Sequence, residues 1–207
     1  MFRLIVTELR HHVPFTVLGA ATGIVFIVIL LLTNSLAVVS GVSETMFGIL
    51  HPLHVVLSAG VTTAMYRSHS HGRILPTILI GYFGAIGIAT ISDSLVPFLA
   101  ESLLHMPHAE AHIGFIEMWW VVNPAALLGI ALGFWKHVTK LPHAGHVLLS
   151  TWASLFHVIM AMGTTLEWYV ALTIFGFLFL AVWLPCCLSD IVFPLLFSRE
   201  GVHSLEH

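Results

Sequence analysis

Long apolar runs alternate with short polar stretches along most of this 207-residue chain. Read as membrane spans, the runs cover residues 15–39, 46–66, 74–99, 117–135, 144–163 and 168–197. Most of them are near or above the ~20 residues that a helix needs to cross the hydrocarbon core of a bilayer. The pattern therefore predicts an all-α integral membrane protein with six transmembrane helices.

Composition and charge agree with this class and give it an orientation. The chain is 58% hydrophobic and only 8% charged, so lipid is its main solvent. Its seven Lys and Arg residues lie before the first span, between the second and third, between the fourth and fifth, and after the sixth. The positive-inside rule then places both termini in the cytoplasm, and we expect a multi-pass protein of a prokaryotic cytoplasmic (inner) membrane.

Three sequence blocks occur in the same order in both halves of the chain. The pairs are Pro14-FTVL-Gly19-AAT-Gly23 with Pro124-AALL-Gly129-IAL-Gly133, HPLHVVLS (51–58) with HAGHVLLS (143–150), and SDSLVPFL (92–99) with SDIVFPLL (189–196). Each copy carries three spans, so the second copy enters the membrane from the opposite face. We predict two inverted three-helix repeats, 1–100 and 118–204, joined by an outer loop, 101–117, with 205–207 as a tag remnant.

Polar side chains inside the spans mark the candidate site, because imidazole and carboxylate are costly in lipid. Histidines one helical turn apart, followed by a serine, occur in spans two and five, and one aspartate occurs in each of spans three and six. Such a set supplies nitrogen and oxygen ligands to a divalent metal. The predicted metal ligands are His51, His54, Asp93, His143, His146 and Asp190. The predicted supporting or relay groups are Ser58, Ser150 and His157.

The direction of the spans gives these two clusters a depth. Because spans two and five run in opposite directions, we expect one cluster in each half of the bilayer. Pro52 leaves two interpretations of span two: if Pro52 begins the helix, residues 45–50 are irregular, and otherwise the span is continuous. Adjacent Cys186 and Cys187 are interpreted as packing residues, with soft-metal binding as the alternative.

The outer loop between spans three and four is rich in histidine and glutamate and contains no basic residue. Such a surface attracts cations, so the loop is a candidate for capturing or releasing them. The predicted outer-loop cation contacts are His105, His108, Glu110, His112 and Glu117.

A small six-span chain built as an inverted 3+3 repeat resembles the LysE-type superfamily of exporters, which includes small bacterial manganese and cadmium effluxers. The resemblance lies in the span layout and the repeat, over most of the chain, and it transfers no individual residue. It implies a transporter rather than an enzyme.

The leading hypothesis is an exporter of a divalent transition metal (Zn, Mn, Fe, Co or Ni) that works by alternating access, with protons as the coupling ion. Its expected partners are the lipid bilayer, the metal, protons and a second copy of the chain, with no organic cofactor and no nucleic acid. An intramembrane zinc hydrolase is the alternative, although two repeated residue sets favour transport. A third hypothesis is a b-type haem or quinone protein using His12, His54, His146 or His157.

Overall fold

The computed structural model is all-helical, and it describes residues 2–70, 73–135, 140–162, 168–188 and 192–197, among which there is no β-strand. The helices are α1 (Phe2–Leu32), α2 (Leu36–His69), α3 (Ile74–Thr90), α4 (Val96–Leu103), α5 (Gly114–Glu117), α6 (Trp119–Trp135), α7 (Lys140–Ala161), α8 (Trp168–Cys187) and α9 (Phe193–Leu196). A π-helical segment, Ile91–Leu95, joins α3 to α4 without a break.

Several helices are suited to a membrane. Four stretches are long and apolar enough to cross one: Val13–Leu32, Leu36–Ser68, Ile74–Leu103 and Tyr169–Cys186. Two further apolar helices, Trp119–Trp135 and Gly145–Ala161, are shorter. Many large apolar side chains point outward, including Leu32 and Trp135, as is expected of a surface that contacts lipid. These features are compatible with an integral membrane protein.

The first connection differs from the sequence prediction. The helix α1 ends at Leu32 and α2 begins at Leu36, so the turn lies at 33–35 and not at 40–45. Asn34 has a φ of 51°, a left-handed conformation that asparagine tolerates better than most residues. The apolar residues just after this turn were assigned to the first span, but they begin the second helix.

Pro52 lies inside α2, so the interpretation in which residues 45–50 are irregular is wrong. The helix continues from Leu36 to His69 and carries His51 and His54 one turn apart. Proline has no N–H to donate to the carbonyl four residues earlier, which removes one backbone hydrogen bond from this part of α2. The helix is therefore continuous but has one backbone hydrogen bond fewer where its histidines lie.

Glycines of the first half allow α1 to pack closely on α7. A Cβ atom added at Gly19 would lie 2.9 Å from Thr151 Oγ1, and one added at Gly23 would lie 3.3 Å from Leu155 Cδ2. Small residues at four-residue spacing permit this approach between membrane helices. The contact joins a helix from one half of the chain to a helix from the other.

Glycines of the second half do the same between α6 and α2. A Cβ atom added at Gly129 would lie 2.8 Å from Ala59 Cβ, and one added at Gly133 would lie 2.8 Å from Thr63 Cβ. Ala59 and Thr63 follow the first histidine of HPLHVVLS by eight and twelve residues. The two positions that α1 contacts on α7 follow the first histidine of HAGHVLLS by the same intervals. Corresponding glycines thus contact corresponding positions of the opposite half.

The two histidine-bearing helices are central. The helix α2 packs against α3, α6 and α7, and α7 packs against α1, α2 and α8. The largest apolar cluster surrounds them and includes Ile27, Phe47 and Ile159. This arrangement brings the polar residues of α2, α7 and the π-helical segment together inside the molecule.

Candidate functional site

The carboxylate of Asp93 is the centre of the site. Asp93 is fully buried, and its Oδ2 atom lies 2.9 Å from His51 Nδ1 and 2.7 Å from His54 Nδ1. Its Oδ1 atom accepts hydrogen bonds from Ser92 Oγ at 2.6 Å and from Ser150 Oγ at 2.7 Å. An ionised carboxylate only accepts hydrogen bonds, so both imidazoles donate through Nδ1. Four donors from three elements therefore surround one buried carboxylate.

Local backbone geometry places Asp93 at this point. The π-helical winding at Ile91–Leu95 precedes Pro97, which cannot donate an N–H to the carbonyl of residue 93. Single π-helical turns within α-helices often occur at functional sites. Ser154 Oγ on α7 donates to the Ser92 carbonyl at 2.9 Å and fixes the segment against that helix.

Described residues around the second Ser-Asp pair resemble those of the first block. Leu188 and Val192 have π-helical geometry, as Ile91–Leu95 do. Pro194 is the second residue of α9, as Pro97 is of α4. The predicted ligand Asp190 itself lies outside the described residues.

The orientation of the two α2 histidines leaves their Nε2 atoms directed away from the carboxylate. His51 Nε2 is buried and has no hydrogen-bond partner among the described residues. His54 Nε2 lies 4.0 Å from the Sγ atom of Cys186, which is itself buried. Histidines that bind metals commonly donate one ring N–H to a carboxylate and use the other nitrogen as ligand. Asp93, which we predicted as a metal ligand, accepts hydrogen bonds from both histidines in this structure.

His146 and Ser150 join this same cluster. The rings of His146 and His54 are stacked, with centroids 5.9 Å apart and an interplanar angle of 11°. The prediction of two separate clusters is therefore wrong for His54 and His146, which lie in contact. These two histidines occupy corresponding positions of the two sequence blocks.

The remaining predicted ligands and supports are only partly described. Ser58 is buried on α2, one turn beyond His54. The side chain of His143 lies outside the described residues, as Asp190 does. The composition of the predicted second set thus stays a prediction at these two positions.

A second buried pair consists of His157 and Glu101. His157 Nδ1 lies 2.7 Å from Glu101 Oε1, and neither side chain is exposed to solvent. The sequence identified His157, but it missed Glu101 because span three was ended at residue 99. The sequence did contain a signal for Glu101. It follows Asp93 by eight residues, about two helical turns along the same continuous helix. His157 Nε2 and Glu101 Oε2 are buried without a hydrogen-bond partner among the described residues.

Phe47 separates the two polar centres. Its ring stacks on His51 with centroids 5.2 Å apart, and it meets the ring of His157 edge-on at 5.5 Å. Phe47 is almost completely buried. An apolar ring therefore lies between the Asp93 cluster and the Glu101–His157 pair.

Two of the five predicted outer-loop cation contacts, His112 and Glu117, are connected to the buried pair. His112 contacts the buried pair, because the rings of His112 and His157 lie 5.6 Å apart. His112 Nδ1 lies 3.4 Å from Glu117 Oε2, and the other Glu117 oxygen accepts from the Ile113 N–H at 3.2 Å. The other three predicted contacts, His105, His108 and Glu110, are exposed.

Gly114, in the same loop, covers His51. A Cβ atom added at Gly114 would lie 2.5 Å from His51 Cδ2 and 2.7 Å from its Nε2 atom. Only a residue without a side chain fits against the imidazole there. Residues of this loop therefore cover part of both polar centres, at His51 and at His157.

The described side chains do not already form a metal cage. Among them, no group of three or more His, Cys, Asp or Glu residues is arranged to hold a metal ion. Both α2 histidines direct Nδ1 toward the Asp93 carboxylate.

The chain matches no protein-family model, no curated protein and no solved structure.

Proposed function

We propose that the protein carries a divalent transition-metal cation across a membrane, as an exporter. The observation that supports this proposal best is the buried cluster in which His51, His54 and His146 gather beside Asp93, between the two central helices. Imidazole nitrogen suits Zn and other borderline divalent metals, and a carboxylate on Nδ1 makes Nε2 the ligand atom. The Nε2 atoms of these histidines would then be the metal ligands.

The inverted repeat belongs to the same proposal. Corresponding glycines of α1 and α6 contact corresponding positions of α7 and α2. His54 and His146 also meet at equivalent positions. These contacts support six spans arranged as two inverted halves, the layout in which the chain resembles LysE-type exporters. Rocking of the halves about the histidine contact would expose the centre to each side in turn.

Proton exchange follows from the chemistry of the ligands. A neutral imidazole offers a lone pair to a metal, whereas a protonated imidazole has none. Metal release is therefore favoured where protons are abundant, and metal binding where they are scarce. We propose that export of the metal is coupled to proton entry.

Transport in proteoliposomes tests the proposal. Vesicles that contain a metal-sensitive dye would be challenged with Zn, Mn, Fe, Co and Ni salts, each with and without a pH gradient. At least one metal should cross at a rate that depends on the protein, and His54→Ala with His146→Ala should abolish that flux. Ser102→Ala, which changes an exposed side chain at the end of α4, serves as the matched control. Flux that the double variant leaves unchanged would refute the proposal.

An intramembrane zinc hydrolase is the second candidate, and one observation favours it. Described residues of both halves converge on one centre around Asp93. The sequence favoured transport because each half was expected to have a site of its own. An enzyme needs such a single site with an open coordination position. Cleavage of a lipid amide or peptide by the zinc-loaded protein, with no metal flux, would favour this candidate over transport.

A haem at His54 and His146 is tested by the absorption spectrum of the purified protein, because histidine-ligated haem iron gives a Soret band. A colourless preparation without that band would remove the haem hypothesis.

A further inference from the structure

We infer that His112 and His157 form a second, outer site for a transition-metal cation. This inference rests on the proposed function, because the same cargo would occupy the outer site between the outer surface and the Asp93 centre. It adds a ligand pair drawn from two separate elements, the outer loop and α7. It also assigns a role to Glu101, which the transport proposal does not use: this carboxylate orients His157.

Both histidines have the arrangement that prepares an imidazole for a metal. His157 Nδ1 is held by Glu101 at 2.7 Å, and His112 Nδ1 is held more loosely by Glu117 at 3.4 Å. In each ring the carboxylate on Nδ1 makes Nε2 the atom available to a ligand. His157 Nε2 is fully buried and has no hydrogen-bond partner among the described residues, so a buried acceptor awaits a ligand there.

The spacing of the two rings fits one shared cation. Their centroids are 5.6 Å apart and their planes are inclined by 68°. A turn of the partly exposed His112 ring would direct its Nε2 atom toward an ion held by His157 Nε2. Water would complete the coordination shell.

The exposure of the four side chains gives the site a direction. Glu117 is 47% exposed and His112 is 25% exposed, whereas His157 and Glu101 are fully buried. A cation held between the two histidines therefore touches both the solvent and the interior. Phe47 separates it from His51, so passage to the inner centre requires that ring to move.

Spectroscopic titration with Co²⁺ tests the inference, because bound Co²⁺ reports its ligands through visible absorption. The full chain, without any affinity histidines, would be titrated in detergent and in lipid nanodiscs. We expect two Co²⁺ sites in the unmodified protein. His112→Ala should remove one of them, and Glu101→Gln should weaken that same site about 10–100-fold, the usual effect of removing the partner of a ligating histidine.

Two controls separate this inference from the proposed function. Ser102→Ala changes an exposed side chain at the end of α4 and should leave both sites intact. His54→Ala with His146→Ala should remove the inner site and keep the outer one. A single Co²⁺ site that depends on His54 and ignores His112 and Glu101 would refute the outer site but leave the transport proposal standing. A protein that binds no Co²⁺ at all would contradict both.

Discussion

At the scale of single residues, the Asp93 carboxylate determines how the surrounding side chains are oriented. It accepts two imidazole N–H groups on one oxygen and two hydroxyl groups on the other. A buried charge with this many donors is stable only while the donors remain in place. Replacing one oxygen by an amide N–H₂ group would set donors against donors.

Asp93→Asn should therefore lower the free energy of unfolding by about 3 kcal/mol, because four buried donors lose their ionised acceptor. The same change should weaken metal binding, since the histidines are no longer held through Nδ1. Unfolding in mixed micelles of increasing SDS content measures the first effect, and metal titration measures the second. Glu110→Gln, an exposed carboxyl group of the outer loop, is the control, and equal stability of the two variants would contradict the prediction.

Gly114→Ala should disturb His51 directly. The added methyl group would lie 2.5 Å from a ring that Asp93 and Phe47 hold on its other sides. Overpacking of this kind costs about 1–3 kcal/mol. Thermal unfolding should therefore shift downward. Gly41→Ala, on an exposed part of α2 with nothing within 4 Å, should be neutral or slightly stabilising, and a similar shift in both variants would count against the contact.

Chemistry at this scale was partly predictable from the sequence. The residue types that lipid disfavours, histidine and aspartate, correctly identified five members of the two buried clusters: His51, His54, Asp93, His146 and His157. The sequence did not reveal which nitrogen of each ring binds the carboxylate, because that depends on contacts between helices. It also missed Glu101, since a charge near the end of an apolar run looks like the start of a loop.

At the scale of helices, two glycine contacts that look alike in the sequence differ in what they touch. A Cβ atom at Gly129 would collide with the Val56 carbonyl oxygen, which belongs to the backbone of α2. A Cβ atom at Gly19 would meet the side chain of Thr151 and no backbone atom among its nearest neighbours. The backbone of α2 cannot shift without moving the helix. The α2–α6 contact therefore tolerates an added Cβ atom less well than the α1–α7 contact does.

Gly129→Ala should consequently destabilise the protein by about 2 kcal/mol, and Gly19→Ala by clearly less. Separation of α2 from α6 is the physical cause, and unfolding in mixed micelles is again the measurement. Gly87→Ala, which meets nothing within 4 Å, controls for the helix propensity of alanine. Equal losses at positions 19 and 129 would show that the backbone contact is not decisive.

Helix boundaries were the weakest part of the sequence prediction. Apolar residues on both sides of the turn at 33–35 gave no signal beyond three consecutive polar residues. Similarly, the hydrophobic pattern could not distinguish a helix that begins at Pro52 from one that contains it. Both questions are decided by tertiary packing, because the surrounding helices hold α2 together where proline removes a hydrogen bond.

At the scale of the whole molecule, the turn at Asn34 and the outer loop should lie on the same side of the membrane. The six-span prediction requires this arrangement. The His108 N–H donates to the Ala161 carbonyl at 3.3 Å, which places the loop at the end of α7. The opposite side should contain the connection after α2.

Cysteine accessibility measures this topology. In a background with Cys186→Ala and Cys187→Ala, Asn34→Cys and His108→Cys should react with a membrane-impermeant maleimide in intact cells. Ser70→Cys should react only after the cells are permeabilised. Labelling of positions 34 and 108 from different sides would contradict the six-span layout and the inverted repeat with it.

Phe47 has a consequence for kinetics. A continuous file of water through the protein would let ions flow in proportion to their concentration. In the proposed transport, the Phe47 ring between the two polar centres would have to move for each crossing. Metal flux would then reach a maximum as the metal concentration rises.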